Sequence, residues 1–116
     1  MHELSVAEAV IEQLERLVER EGAARITRVV LRLGVLSGVD SEALRFSFPL
    51  AAEGTRAEGA ELVLEEVPLR VRCADCGAET EADPLDVVCA ACGGNDVRIV
   101  EGEGLILQSA ELAFEA

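Results

Sequence analysis

The sequence predicts a small α/β protein with two helices, three strands and an inserted cysteine-rich module. Two segments repeat apolar residues at helical spacing, and three others show the patterning of strands. All four cysteines fall between the second and third of these strands. Because strand-like sequence lies on both sides of the cysteines, we expect their segment to interrupt a single α/β domain.

The length of the chain allows one ordinary domain, or a small domain that carries a metal-stapled insert. The chain has 116 residues, of which 50% are hydrophobic, and only three are aromatic, so the core must consist of Leu, Val, Ile and Ala. No apolar run approaches the roughly 20 residues of a membrane-spanning helix. The N-terminus lacks the basic start and apolar stretch of a secretory signal. We therefore expect a cytoplasmic protein without a membrane segment.

The first helix is predicted over Leu4–Val18, since its apolar residues recur every three or four positions and form one stripe. Gly22 follows, where a helix C-terminus favours glycine. A strand is predicted over Arg25–Leu33. Asp40 or Ser41 could cap a second helix, and Pro49 should kink or break that helix.

Two further strands complete the α/β pattern. The second is predicted over Ala60–Val71, where Glu61 and Glu65 could meet Arg28 or Arg32 across a ladder with the first strand. The third is predicted over Leu105–Phe114. Between them, residues 72–98 hold too few apolar side chains for a core of their own. We predict one discontinuous domain of residues 1–70 and 100–116, interrupted by a module of residues 71–99.

The cysteines form two Cys-x-x-Cys pairs separated by twelve residues, each followed by glycine. Two intervening residues let one tight turn present two thiolates to a tetrahedral ion at about 2.3 Å. Four soft ligands without an open position favour a closed structural Zn(II) site. The predicted ligands are Cys73, Cys76, Cys89 and Cys92.

Other interpretations of the cysteines stay open from sequence alone. Disulfides require an oxidising compartment, which the missing signal argues against. A thioredoxin-type pair needs only one Cys-x-x-Cys. An iron–sulfur cluster also uses four cysteines, although the two symmetric pairs resemble a zinc ribbon more closely.

The net charge of −13, from 23 acidic residues against ten arginines and no lysine, disfavours nucleic-acid binding. It suits basic protein partners or cations. The single histidine is His2. Its imidazole, the α-amine of Met1 and nearby backbone amides could surround one ion, a nitrogen ligand set that suits Ni(II) or Cu(II). Glu3 could orient this site, or merely interact with the helix N-terminus.

Besides the cysteine pairs, seven segments are typical of one protein family. They are Met1–Ser5, Leu33–Val39, Glu42–Leu44, Phe46–Phe48, Glu53–Thr55, Gly59–Ala60 and Ser109–Leu112. Together these segments resemble the HypA/HybF family of hydrogenase maturation nickel chaperones, and the resemblance spans essentially the whole chain. One departure is Gly104, where a glutamate is expected.

The resemblance implies a nickel-binding domain of two helices on a three-stranded sheet, with an inserted zinc-ribbon-like module. It implies Ni(II) as cargo, bound by Met1, His2 and Glu3, and Zn(II) as a structural ion. It also implies delivery of nickel to the large subunit of [NiFe] hydrogenase with a HypB-type GTPase. A homodimer is possible, and no enzymatic activity is expected.

Three other functions remain to be separated from nickel delivery. A zinc-ribbon adaptor would bind only proteins, with His2 a bystander. A nucleic-acid-binding ribbon would need a basic patch, whereas carboxylates outnumber Arg70 and Arg72 around Cys73. A redox dithiol protein would hold no zinc. A measurement of nickel binding distinguishes nickel delivery from all three of these functions.

Overall fold

A computed structural model of the chain describes residues 2–114, and it confirms the α/β class. The strands form two three-stranded sheets, ordered β2-β1-β6 and β4-β3-β5. In chain order the elements are α1 (His2–Glu21), β1 (Arg25–Gly34), α2 (Ser41–Ala52), β2 (Glu61–Val67), β3 (Arg70–Cys73), β4 (Glu79–Glu81), β5 (Val97–Glu101) and β6 (Leu105–Ala113).

The described residues divide into two compact units. The first comprises the chain up to Leu31, Val39–Glu65, and the residues from Leu107 onward. The second comprises Arg32–Gly38 and Glu66–Ile106, and therefore contains all four cysteines. The narrower limits of 71–99 that the sequence suggests for the module stay a prediction.

Helix α1 supplies much of the core of the first unit. It continues to Glu21 and ends at Gly22, whose φ of 70° is the left-handed conformation that glycine adopts without strain. Burial of each large side chain contributes about 1.5–3 kcal/mol. Helix α2 adds its own buried face to this core. The buried residues of the two helices are Ala7, Val10, Ile11, Leu14, Val18, Leu44, Phe48 and Ala52.

Pro49 does not interrupt α2, so the break predicted there is wrong. The helix runs from Ser41 to Ala52 with Pro49 inside it. Proline removes one N–H, which would otherwise bond the carbonyl of Arg45. Both Pro49 and Arg45 lie on the exposed side of the helix, where water can satisfy that carbonyl.

The single strand predicted over Ala60–Val71 is two strands, which is a second correction. β2 ends at Val67 and β3 begins at Arg70, with Pro68 between them. A proline cannot donate to a ladder, so it marks the point where the chain leaves one sheet. β3 pairs with β4 and β5 in the other sheet.

Arg28 on β1 contacts a carboxylate on each neighbouring strand. Its Nε lies 3.4 Å from Glu61 Oε1 on β2, and its Nη1 lies 3.3 Å from Glu111 Oε2 on β6. The contact with Glu61 confirms the pairing predicted across the ladder. These ion pairs are partly exposed, so they specify register more than they add stability.

Arg56 fixes the connection between α2 and β2 against α1. Its backbone N–H and its Nε donate to the two carboxylate oxygens of Glu15, at 3.0 and 2.6 Å. Its Nη2 donates to Glu19 at 2.8 Å, and its carbonyl accepts the N–H of Ile26 at 2.8 Å. The Arg56 N–H, followed by its guanidinium, lowers the pKa of Glu15, so the carboxylate stays ionised.

Three chain segments meet in the second unit at two glycines. A Cβ on Gly34 would lie 2.4 Å from the carbonyl carbon and oxygen of Gly102. Gly102 has a φ of 103°, and a Cβ there would lie 2.6 Å from the carbonyl oxygen of Pro68. Leu36 donates its N–H to Gly102 at 2.8 Å. Only glycine permits so close an approach of backbones.

We predict that Gly34→Ala lowers the free energy of unfolding by about 2–4 kcal/mol, because backbone atoms must move to admit the methyl group. Urea unfolding of the metal-loaded protein measures this change. Gly104→Ala is the matched control, since nothing lies within 4 Å of its added Cβ. Its effect should stay within about 0.5 kcal/mol. Equal effects of the two substitutions would contradict the steric argument.

Candidate metal centre

Each Cys-x-x-Cys pair forms a tight turn with the same backbone hydrogen bonds. In the first turn, Gly77 donates its N–H to the carbonyl of Cys73 at 2.9 Å, and Cys73 donates to the carbonyl of Ala78 at 3.0 Å. The Cys76 sulfur accepts the N–H of Ala78. Gly77 has a φ of 77°, which explains why glycine follows the pair.

The second turn repeats the first. Gly93 donates to the carbonyl of Cys89 at 2.8 Å, and Cys89 donates to the carbonyl of Gly94 at 2.8 Å. Gly93 has a φ of 79°, and the Cys92 sulfur accepts the N–H of Gly94. A Cβ on Gly94 would lie only 3.3 Å from the Cys92 sulfur, so this backbone passes close to the centre.

The two turns bring all four sulfurs around one point. The Sγ atoms of Cys73 and Cys92 are 3.6 Å apart, as are those of Cys76 and Cys89. All four lie within 4.8 Å of one another. A disulfide would need about 2.05 Å, and the cysteines are free thiols. Four Zn–S bonds of about 2.3 Å place tetrahedral sulfurs about 3.8 Å apart, so the spacing fits a single ion.

The thiols cannot all ionise together without a cation. The N–H groups of Cys92 and Ala91, with the neighbouring thiols, lower the pKa of Cys89 to about 6. The N–H of Gly94 favours the Cys92 thiolate, but the other three sulfurs outweigh it and raise the pKa of Cys92 to about 12. A divalent cation removes this conflict, because it stabilises every thiolate at once. The donor set therefore fits a thiophilic metal ion.

Two of the four cysteines of the centre are buried and two are exposed. Cys73 and Cys89, the first residue of each pair, are 2% and 1% exposed, whereas Cys76 and Cys92 are exposed. Cys73 ends β3, and the N–H of the following Ala74 bonds the carbonyl of Asp96 at 2.9 Å. One side of the centre is thus anchored in the sheet β4-β3-β5, and the other faces solvent.

The residues predicted to bind nickel lie at the N-terminus, in the first unit. Met1 is outside the described residues. His2 and Glu3 form the first turn of α1, and His2 Nε2 lies 3.6 Å from Glu3 Oε2. The same carboxylate oxygen accepts the N–H of Asp40 at 3.0 Å. That bond is the main cause of a lowered pKa for Glu3, so the carboxylate stays ionised beside the imidazole.

Asp40 is a participant that the sequence suggested only as a helix cap. Its Oδ1 accepts the N–H groups of Glu42 and Ala43 at 2.9 and 3.3 Å, which confirms its capping role. Its contact with Glu3 links residues far apart in the chain. No sequence pattern predicted that contact, because it depends on the tertiary arrangement of α1 and α2.

No described helix is long and apolar enough to span a membrane.

The fold and the sites have the features of a metal-handling protein. The chain is a small α/β protein with a tetrathiol centre, and an imidazole–carboxylate pair lies at the start of its first helix. The family model "Hydrogenase/urease nickel incorporation, metallochaperone, hypA" matches residues 1–112. The chain therefore belongs to the HypA family of nickel metallochaperones, as the sequence resemblance indicated.

Individual relatives agree with this assignment. The hydrogenase maturation factor HypA of Nitrosospira multiformis is 42% identical over 112 residues, covering 97% of each chain. That of Aquifex aeolicus is 38% identical over 115 residues, covering 99% of this chain and 100% of its own. The solution structure of the Ni metallochaperone HypA from Helicobacter pylori has a TM-score of 0.73 at 29% identity, covering 99% of this chain and 100% of that one.

We predict that Cys89→Ser lowers the affinity of the tetrathiol centre for metal by more than about 100-fold, because it removes a buried thiolate and leaves three ligands. Co(II) titration, followed by the thiolate-to-metal absorption, measures the affinity. Amide NMR should show lost dispersion in the second unit and preserved signals in the first. Asp75→Asn is the control, because it alters a nearby carboxylate and keeps the four ligands. An unchanged affinity of Cys89→Ser would contradict the assignment.

Proposed function

We propose that this protein carries Ni(II) at its N-terminus and delivers it to the large subunit of a [NiFe] hydrogenase, working with a HypB-type GTPase in the cytoplasm. The observation that carries the proposal is the family match, which includes residues 1–3. The arrangement of His2, Glu3 and Asp40 supports it, because an ionised carboxylate lies beside the sole imidazole of the chain.

The proposed nickel ligands are the α-amine of Met1, the imidazole of His2 and backbone amide nitrogens of the first residues. Such nitrogen ligands suit square-planar Ni(II). We assign Glu3 to the site as the group that orients it. Its carboxylate is held by Asp40 on one side and can attract the imidazole or the metal on the other.

We further propose that the tetrathiol centre binds Zn(II), which has a structural role. Four thiolates complete a tetrahedral coordination sphere and leave no position for an incoming ligand. A cargo ion needs the opposite, a site that a competing ligand can enter. The terminal site meets this need because protonation of its amine and imidazole releases the metal. We therefore place the cargo at the terminus, and expect metal transfer instead of catalysis.

The first test of the terminal site uses the absence of lysine. When Met1 begins the chain, its α-amine is the only primary amine, since the sequence contains no lysine. Acetylation should therefore block the α-amine, one of the nickel ligands, and there is no lysine amine that could react as well. We predict that the acetylated protein loses tight Ni(II) binding in calorimetry and keeps one zinc per chain in elemental analysis. Mass spectrometry should show one added acetyl group.

A second test removes the imidazole. His2→Ala should abolish or strongly weaken nickel binding, with zinc content unchanged, because the site loses its strongest neutral nitrogen ligand. Glu8→Ala, a change on an exposed position of the same helix, is the control and should bind nickel as the native protein does. If native protein binds zinc but no nickel, a protein-binding zinc-ribbon adaptor becomes the better interpretation.

A further inference from the structure

Helix α2 exposes large apolar side chains although its opposite face is buried. The chain has only three phenylalanines. Phe48 is 1% exposed, but Phe46 is 73% exposed and Leu50 is 53% exposed. Residues four apart lie on the same helical face, so Phe46 and Leu50 form one stripe. Large apolar side chains grouped on an exposed helix face are typical of a binding surface.

Carboxylates bound this stripe at both ends. Glu42 lies one turn before Phe46, and Glu53 lies three residues after Leu50. Both glutamates are exposed. Pro49 lies beside the stripe, and its missing N–H leaves the Arg45 carbonyl without its helical donor. The surface therefore presents an apolar centre, an additional backbone acceptor and a carboxylate at each end. The exposed Arg45 precedes Phe46 in the helix and is the one basic residue of α2.

The stripe begins close to the predicted nickel terminus. Asp40 caps α2 and also holds Glu3 through its backbone N–H. Phe46 follows Asp40 by six residues, or about 9 Å along the helix axis. A protein that docks on the stripe is thereby brought near His2 and Glu3.

The charge pattern selects among possible occupants. A second copy of α2 in antiparallel contact, with Phe46 against Leu50, would bring Glu42 near the Glu53 of that copy. A parallel contact would bring identical glutamates together. Both arrangements oppose like charges, and each chain already carries a net charge of −13. A partner with positive ends has no such cost.

We infer that the α2 stripe, defined by Glu42, Phe46, Leu50 and Glu53, is the docking surface for an amphipathic helix of a protein partner. That helix presents apolar side chains four residues apart, with Lys or Arg at both ends. This inference rests on the proposed function in one respect, that the docked partner exchanges nickel with the adjacent terminus. Docking itself requires no nickel.

The probe is a synthetic alanine-based helix of about 14 residues, near the minimum length for helicity in water. It carries two leucines four residues apart between pairs of lysines, and a fluorescent label. Anisotropy measures its Kd with the full chain in its zinc-loaded form. A second peptide replaces the leucines by glutamines, and a third replaces the lysines by glutamates. Only the first should bind native protein, and amide shifts should map to α2.

The variants test each part of the surface. Phe46→Ala and Leu50→Ala should each raise Kd by about tenfold or more, since central aromatic and aliphatic anchors dominate such interfaces. Phe114→Ala removes a phenylalanine that is 60% exposed elsewhere, and it should leave Kd unchanged. The double variant Glu42→Lys/Glu53→Lys should lose the lysine peptide and gain the glutamate peptide. Circular dichroism verifies that every variant keeps its helix content.

Three results would overturn the inference. These are an unchanged Kd for Phe46→Ala, equal binding of the glutamine peptide, or self-association that depends on Phe46 in sedimentation. Failure of the proposed function has a different signature, because it leaves peptide binding intact while native protein binds no nickel. Conversely, Phe46→Ala should bind nickel as tightly as native protein.

Discussion

The fold of the entire second unit depends on four sulfur atoms that lie within 4.8 Å of one another. That unit buries few side chains, and two of the most buried are Cys73 and Cys89 themselves. Besides these cysteines, its buried apolar side chains are those of Leu33, Val67, Leu69 and Val71. Such a small interior cannot offset the conformational entropy of the loops around it. We expect a metal ion bound by the thiolates to supply the missing free energy, which would couple folding to metal binding in this part of the chain.

The first unit has a larger apolar core that can offset its conformational entropy. Its core combines the buried faces of α1 and α2 with β-branched residues of β1, among them Ile26 and Val29. This division matches the two kinds of metal chemistry proposed for the protein. In that proposal, a coordinatively saturated ion stabilises one unit, and the terminal site lies on a helix that packs against an apolar core, so its ion can be exchanged without loss of that core.

Local patterns predicted most of the fold. The apolar stripe of α1, its end at Gly22 and the cap at Asp40 all follow from interactions within a few residues, and the structure confirms them. The two errors both concern proline. Pro49 was expected to kink or break α2, but the helix continues through it, and its exposed position lets water replace the lost hydrogen bond. Pro68 was passed over, although it separates strands of different sheets. Exposure and sheet membership are tertiary properties, which local sequence does not determine.

The candidate sites divide in the same way. The spacing of the cysteines and their glycines was sufficient to predict a closed tetrathiol centre, because each turn is a local structure. The contact between Glu3 and Asp40 depends on how two helices pack, and no local pattern reports it. Likewise, the sequence places Phe46, Phe48 and Leu50 at alternate positions of one helix. Only the packing of α2 reveals that Phe48 is internal while the other two face outward.

The repetition of one turn at Cys73–Ala78 and Cys89–Gly94 has a kinetic consequence. Each turn is a bidentate ligand, so an ion can leave only if both turns release it. When one opens, the other keeps the ion within a few ångströms of the released thiolates, at a very high effective concentration. Rebinding then outpaces escape. Under the proposed function, this chelation would keep the structural ion bound for long periods while nickel is carried at the N-terminus.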